Sequence, residues 1–185
     1  TVAKIDSFGD ILPKSTRVYL AHLKNEDIAQ MVAAAKRLSH EGFTVMPHIP
    51  ARVIKNQAML SDWLSMYQNE AGVDEALLLA GGSNEPKGDY DSSIQLIESG
   101  LFDKAGFKRL HIAGHPDGNK DIDPGGGIKN VSEALSWKQE FFKRTDAKMA
   151  ITTQFCFDAN VVKKWADDIK EGGIDIPIHI GVARE

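Results

Sequence analysis

The feature that most constrains this chain is a recurrence. A short apolar run rich in β-branched residues is followed by a segment with helical apolar spacing, and the pair repeats at intervals of roughly 30 residues. Residues 17–22 (RVYLAH), 43–49 (FTVMPHI), 74–80 (DEALLLA), 107–113 (FKRLHIA), 149–157 (MAITTQFCF) and 176–182 (IPIHIGV) read as strands. Between the first two, Ile28, Met31, Val32, Ala35 and Leu38 step by threes and fours, which puts them on one helical face. Asn25 is placed to cap that helix and Gly42 to end it. Leu60, Trp63, Leu64 and Tyr67 mark a second helix stopping near Gly72, and Ile94, Leu96, Ile97 and Leu101 a third. Val131, Leu135, Lys138, Phe141 and Phe142 mark a fourth. Val161, Val162, Trp165 and Ile169 mark a fifth, with Asp158 as its N-cap and Gly172-Gly173 as its end. Trp63, Trp137 and Trp165 lie on these stripes and read as packing residues.

Strands separated by helices predict an α/β domain with a parallel sheet, and no linker divides residues 1–185. Two architectures compete, an open doubly wound sheet and a (β/α)8 TIM barrel. A dinucleotide-binding sheet needs G-x-G-x-x-G after its first strand, whereas residues 21–24 read AHLK. Polar residues instead gather where strands end: His22, His48, His115, Gln154 and His179. A barrel builds its chemistry at those ends, so the TIM-barrel type is the expectation. A complete barrel takes about 250 residues, so about six βα units are expected here. An unclosed barrel would leave two sheet edges open, which predicts poor solubility or an open sheet unless the chain pairs with a second copy.

Hydrophobic residues make up 42% of the chain and charged residues 26%, enough apolar material for a real core. The net charge is -4 with both signs interleaved, which argues against a nucleic-acid surface. The densest basic spots, Lys108-Arg109 and Lys163-Lys164, read as solvated faces. No apolar stretch approaches the roughly 20 residues of a membrane span. Cys156 is the single cysteine, so no internal disulfide forms and a reducing, cytoplasmic compartment is expected.

Several local patterns carry competing readings. His111 and His115 stand four apart and no H-x-H pair exists, which weakens a zinc hydrolase reading. Asp117, Asp121 and Asp123 resemble a calcium loop in composition, without its ligand order. Gly125-Gly126-Gly127 before a helix could present amides to an anion or be a plain connection. Gly81-Gly82 after a buried strand permits either a tight turn or close approach of a flat ligand. Strand alternation lets only one of Thr153 and Gln154 face inward.

In chain order, "MPHIP", "LLLAGG", "IAGHPDGNKD", "ITTQFCFD" and "GIDIPIHIGV" resemble the methylenetetrahydrofolate reductase family from about Arg17 to Val182. The "TQF-x-FD" segment is the most specific part. The resemblance implies a (β/α)8 barrel with FAD at the C-terminal strand ends. It implies NADH or NADPH as hydride donor and methylenetetrahydrofolate as acceptor, in one-carbon and methionine metabolism. It implies FAD contacts from His48, the Gly81 backbone and Lys138, the last near the phosphates, and contact of Gln154 with folate and nicotinamide in turn. His115 and Asn119 stand where the family has a tyrosine and a histidine near the flavin. His22 and Gly82 complete the implied cofactor set. Ala80 and Gly82 replace the family's arginine and aspartate, and Ala21 and His22 its threonine and tyrosine. The general-acid glutamate is expected on a strand before Thr1, and the last strand after Glu185. Two alternatives follow: a folate- or flavin-binding barrel of one-carbon transfer without turnover, and a metal-dependent barrel hydrolase.

Overall fold

A computed structural model describes residues 7–23 and 26–182, so the expected Asn25 cap lies outside the described residues. The fold is α/β, and the described residues form six strands separated by helices along the chain. It divides into two compact units, Thr1–Arg109 and Leu110–Glu185.

The first unit contains β1 (Arg17–Leu20), α1 (Ile28–His40), β2 (Thr44–Pro50), α2 (Gln57–Ala71), β3 (Glu75–Leu79), α3 (Ser93–Glu98) and α4 (Leu101–Ala105). β1 pairs with β2 in parallel, Arg17 opposite Thr44, and β2 with β3, His48 opposite Leu77. Asp27 caps α1, its carboxylate accepting from the Ala29 and Gln30 amides. The stripe Met31, Val32, Ala35 and Leu38 is buried as its spacing predicts. Asn56 caps α2 through the Met59 amide, and Gly72 ends it in the left-handed conformation that favours glycine.

Two expectations need correction here. β1 stops at Leu20, so Ala21 and His22 belong to the loop that follows it. The single helix expected through Leu101 is two short helices, because Gly100 adopts φ 66° between Ile97 and Leu101. Apolar spacing continues across that break, which is why periodicity alone joins the pieces.

The second unit opens within β4 (Arg109–Gly114), whose first residue closes the first unit. α5 (Lys129–Phe142), β5 (Lys148–Phe155), α6 (Ala159–Glu171) and β6 (Ile178–Gly181) follow. β6 is shorter than the 176–182 run because Pro177 lies outside it, and β5 ends two residues before Phe157. β5 and β6 pair in parallel, Ile151 opposite Ile178. Leu110, Ile112, Ile151, Val162 and Trp165 are buried here, each such side chain contributing about 1.5–3 kcal/mol relative to exposure. Gly114 is fixed by that core: a β-carbon there would stand 2.5 Å from Ile151 and 3.0 Å from Trp165. Asp158 caps α6 through the Asn160 amide.

The N-terminal strand ends of the first unit carry an ionic cluster. Glu75, at the start of β3, accepts from the Arg17 Nε and from the Arg109 Nε at 3.1 Å. Arg17 Nη2 donates at 2.9 Å to Glu75 Oε1, the oxygen that also accepts from Arg109, while the Arg17 Nε bond goes to Oε2. Glu75 is buried. Arg109 is therefore not part of a solvated basic face; only its neighbour Lys108 is, paired with Asp74. Among the described residues no helix is long and apolar enough to cross a membrane.

Candidate functional site

In the first unit, polar chemistry sits at the opposite strand ends from the Glu75 cluster. β2 carries His48 two residues before its end, half-buried, with its ring edge-on to Tyr19 at 6.4 Å. His22 follows β1 and stacks on Trp63 of α2, ring centroids 5.2 Å apart. Burial pushes the His48 imidazole down to about 4, and the charge of His22 adds to the effect. Burial also lowers His22, with Glu26 partly opposing. Both rings are therefore held uncharged at neutral pH. They can give or take a hydrogen bond, but they are poor holders of phosphate.

Two polar atoms beside them are buried with no hydrogen-bond partner among the described residues: His22 Nδ1 and the Tyr67 hydroxyl. Burial, and then the nearby Glu26 charge, raise the Tyr67 phenol above its ordinary value. Tyr67 was read from its spacing as a packing position, and it is fully buried. Helical phase identifies the position but says nothing of the stranded hydroxyl.

Gly81 and Gly82 behave differently. Gly81 has φ 100°, and a β-carbon there would meet Pro50 at 2.9 Å, so backbone geometry and close approach both require glycine. Gly82 faces open space. Arg52, one turn beyond β2, pins the intervening loop: its Nε donates to Asp91 at 2.7 Å and its Nη1 to the Ser83 carbonyl at 3.0 Å. Its backbone amide donates to Ala80. No sequence signal distinguished Arg52, since its partners lie 31 and 39 residues away.

In the second unit, His115 follows β4 directly and is joined by Asn119, whose Nδ2 lies 3.4 Å from His115 Nδ1. Asn119 also shapes the loop, accepting from the Asp121 amide at 2.9 Å. Lys138 falls three residues after Leu135 on the apolar stripe of α5, and that phase carries it into the interior. Its ammonium makes no hydrogen bond or ion pair among the described residues. Burial pushes it down to about 8. Burial lowers His115 too, and the charge of Lys138 lowers it further. The two residues share a cavity of about 30 Å³ with Ile122, Val131, Leu135 and Trp165.

Part of the amide set at the start of α5 is already taken within the chain. Asp123, itself buried, already accepts from the Asn130 and Val131 amides at 2.9 and 3.1 Å. The protein thus supplies its own carboxylate to the start of α5.

Of the alternating pair in β5, Thr153 is buried and its hydroxyl accepts from the Gly181 amide at 2.9 Å, while Gln154 is exposed. On the neighbouring residues, His111 is fully buried, with Nδ1 3.2 Å from Thr152 Oγ1. His179 meets its ring edge-on at 4.9 Å. Among the described residues no three His, Cys, Asp or Glu side chains gather as a metal-binding group. No protein-family model matches the chain.

Proposed function

We propose that this protein is a flavin-dependent reductase of the methylenetetrahydrofolate reductase type, built on a (β/α)8 TIM-type barrel. The observation that carries the reading is the electrostatic state of the strand ends. His22 and His48 are both held uncharged, with His22 Nδ1 buried and unpartnered. Uncharged imidazoles suit the neutral edge of a heteroaromatic ring better than a phosphate.

The residues present fit FAD on this ground. His22 and His48 would give hydrogen bonds to the ring system, and Gly81 would allow a flat group close to the backbone, where no side chain could stand. In the second unit, taken by itself, the exposed amide of Gln154 offers a donor and an acceptor of the kind that a nicotinamide or a pterin pairs with. Bound FAD would supply the hydride relay between NADH or NADPH and methylenetetrahydrofolate, yielding 5-methyltetrahydrofolate. Ala80 and Gly82 offer no charge of their own, so tuning of the cofactor by a neighbouring carboxylate is absent at this position.

The test is spectroscopic. The purified chain, mixed with FAD and freed of excess, is expected to keep visible flavin absorbance, to bleach anaerobically with NADH or NADPH, and to recover on adding methylenetetrahydrofolate. Retained flavin that neither nucleotide bleaches would leave binding without turnover. Failure to retain flavin would remove the reading.

A further inference from the structure

We propose that Lys138 is a carbonyl-capturing amine, whose Nζ forms an imine with an uncharged aldehyde of one or two carbons in the cavity beside β4, with His115 relaying the protons. This stands independently of the flavin reading, because it needs only the amine, its cavity and its neighbour.

Three observations converge on it. Lys138 is buried and lines the cavity, and no hydrogen bond or ion pair joins its Nζ to another described residue. Burial without a counter-charge disfavours the ammonium, so Lys138 holds a larger fraction of neutral, nucleophilic amine than an exposed lysine does. The depressed proton affinity agrees with that geometry.

The cavity also defines its occupant. Its volume is about 30 Å³, where one water needs roughly 10–15 Å³ by the same measure. Apart from Lys138 and His115 its side-chain lining is Ile122, Val131, Leu135 and Trp165 with two alanines, and it offers no second cation. The nearby amides of Asn130 and Val131 are taken by Asp123. The space therefore suits a small uncharged molecule, not a phosphate.

The chemistry balances without a redox partner. The Nζ lone pair attacks the aldehyde carbon as the C=O π bond opens onto oxygen. Neutral His115 takes one proton from the nitrogen and passes it to the oxygen, giving the carbinolamine and returning to its neutral form. The nitrogen lone pair then forms the C=N bond as the hydroxyl leaves, and His115 relays the second nitrogen proton to it, so that it departs as water. Amine plus aldehyde becomes imine plus water. His115 lines the same cavity and feels the charge of Lys138, which puts it within reach for this relay.

The experiment treats the full folded chain at neutral pH with a small amount of formaldehyde and cyanoborohydride, then maps methylated lysines by peptide mass spectrometry. Lys138 is expected to be methylated at least about tenfold faster than exposed lysines, given its larger neutral fraction. Isobutyraldehyde, too large for the cavity, is expected to modify only exposed lysines. Unfolding in urea is expected to erase the preference. His115→Gln is expected to slow labelling of Lys138 by about tenfold or more, while leaving exposed lysines unchanged. The proposal is overturned if Lys138 reacts no faster than exposed lysines in the folded chain, or if isobutyraldehyde labels it equally well.

Discussion

In the first unit the two ends of the strands solve opposite problems. At the N-terminal ends, Arg17, Glu75 and Arg109 satisfy one another through three charge-assisted hydrogen bonds. At the C-terminal ends, His22 Nδ1 is buried without a partner among the described residues, and His48 is held uncharged against its own basicity. One end is saturated, and contributes to stability. The other carries uncompensated polar groups, which cost stability and leave hydrogen-bonding capacity for a ligand.

The largest effect is expected where the saturated end is broken. Glu75→Gln leaves two partly buried guanidiniums without their carboxylate, and is expected to lose about 3 kcal/mol in urea unfolding. Its effect on flavin retention should be small wherever the variant remains folded. An equal loss of both would erase the division between the ends.

Acid and base should separate the two ends as well. His48 titrates at about 4 in the folded chain against 6.5 ordinarily. Between those values the unfolded chain binds more protons, so stability rises with pH there and falls on acidification, by roughly 3 kcal/mol. His48→Gln is expected to remove most of that slope. In the second unit Lys138 titrates at about 8 against 10.5. The unfolded chain again holds the extra proton between those values, so stability is expected to rise as pH passes from 8 toward 10.5. Lys138→Met is expected to flatten that rise and to stabilise the protein at neutral pH by about 1–3 kcal/mol, measured by urea unfolding.

How far the sequence carries can be seen at the same residues. The stripes of α1 and α2 and the cap of α6 are legible, because helical phase and capping chemistry act over a few residues. The break at Gly100 is not, because Ile97 and Leu101 keep the spacing that one continuous helix would have. Arg109 reads as a surface cation until Glu75, 34 residues away, is brought to it. Lys138 is visible on an apolar stripe, but its lack of a partner is a property of the folded interior alone. That Asp123 folds back onto the Asn130 and Val131 amides of α5 is likewise invisible in the sequence, because the partners lie seven and eight residues apart.

Smaller effects sharpen the glycine pair. Gly81→Ala is expected to cost about 1–3 kcal/mol, from positive φ and the contact with Pro50. Gly82→Asp has open space around it and is expected to stay within about 0.5 kcal/mol of the parent in urea unfolding. On the proposed reading, the added carboxylate raises reductase turnover. A Gly82→Asp variant as unstable as Gly81→Ala would mean that the two glycines do the same structural work.

The most direct test of the division between strand ends is the protonation of one ring. His48 resonances, followed by NMR through an acid titration of the folded chain, are expected to show a midpoint near 4. A midpoint at the ordinary 6.5 would mean that the C-terminal strand end does not hold its histidine uncharged, and would contradict the electrostatic basis of the proposed site.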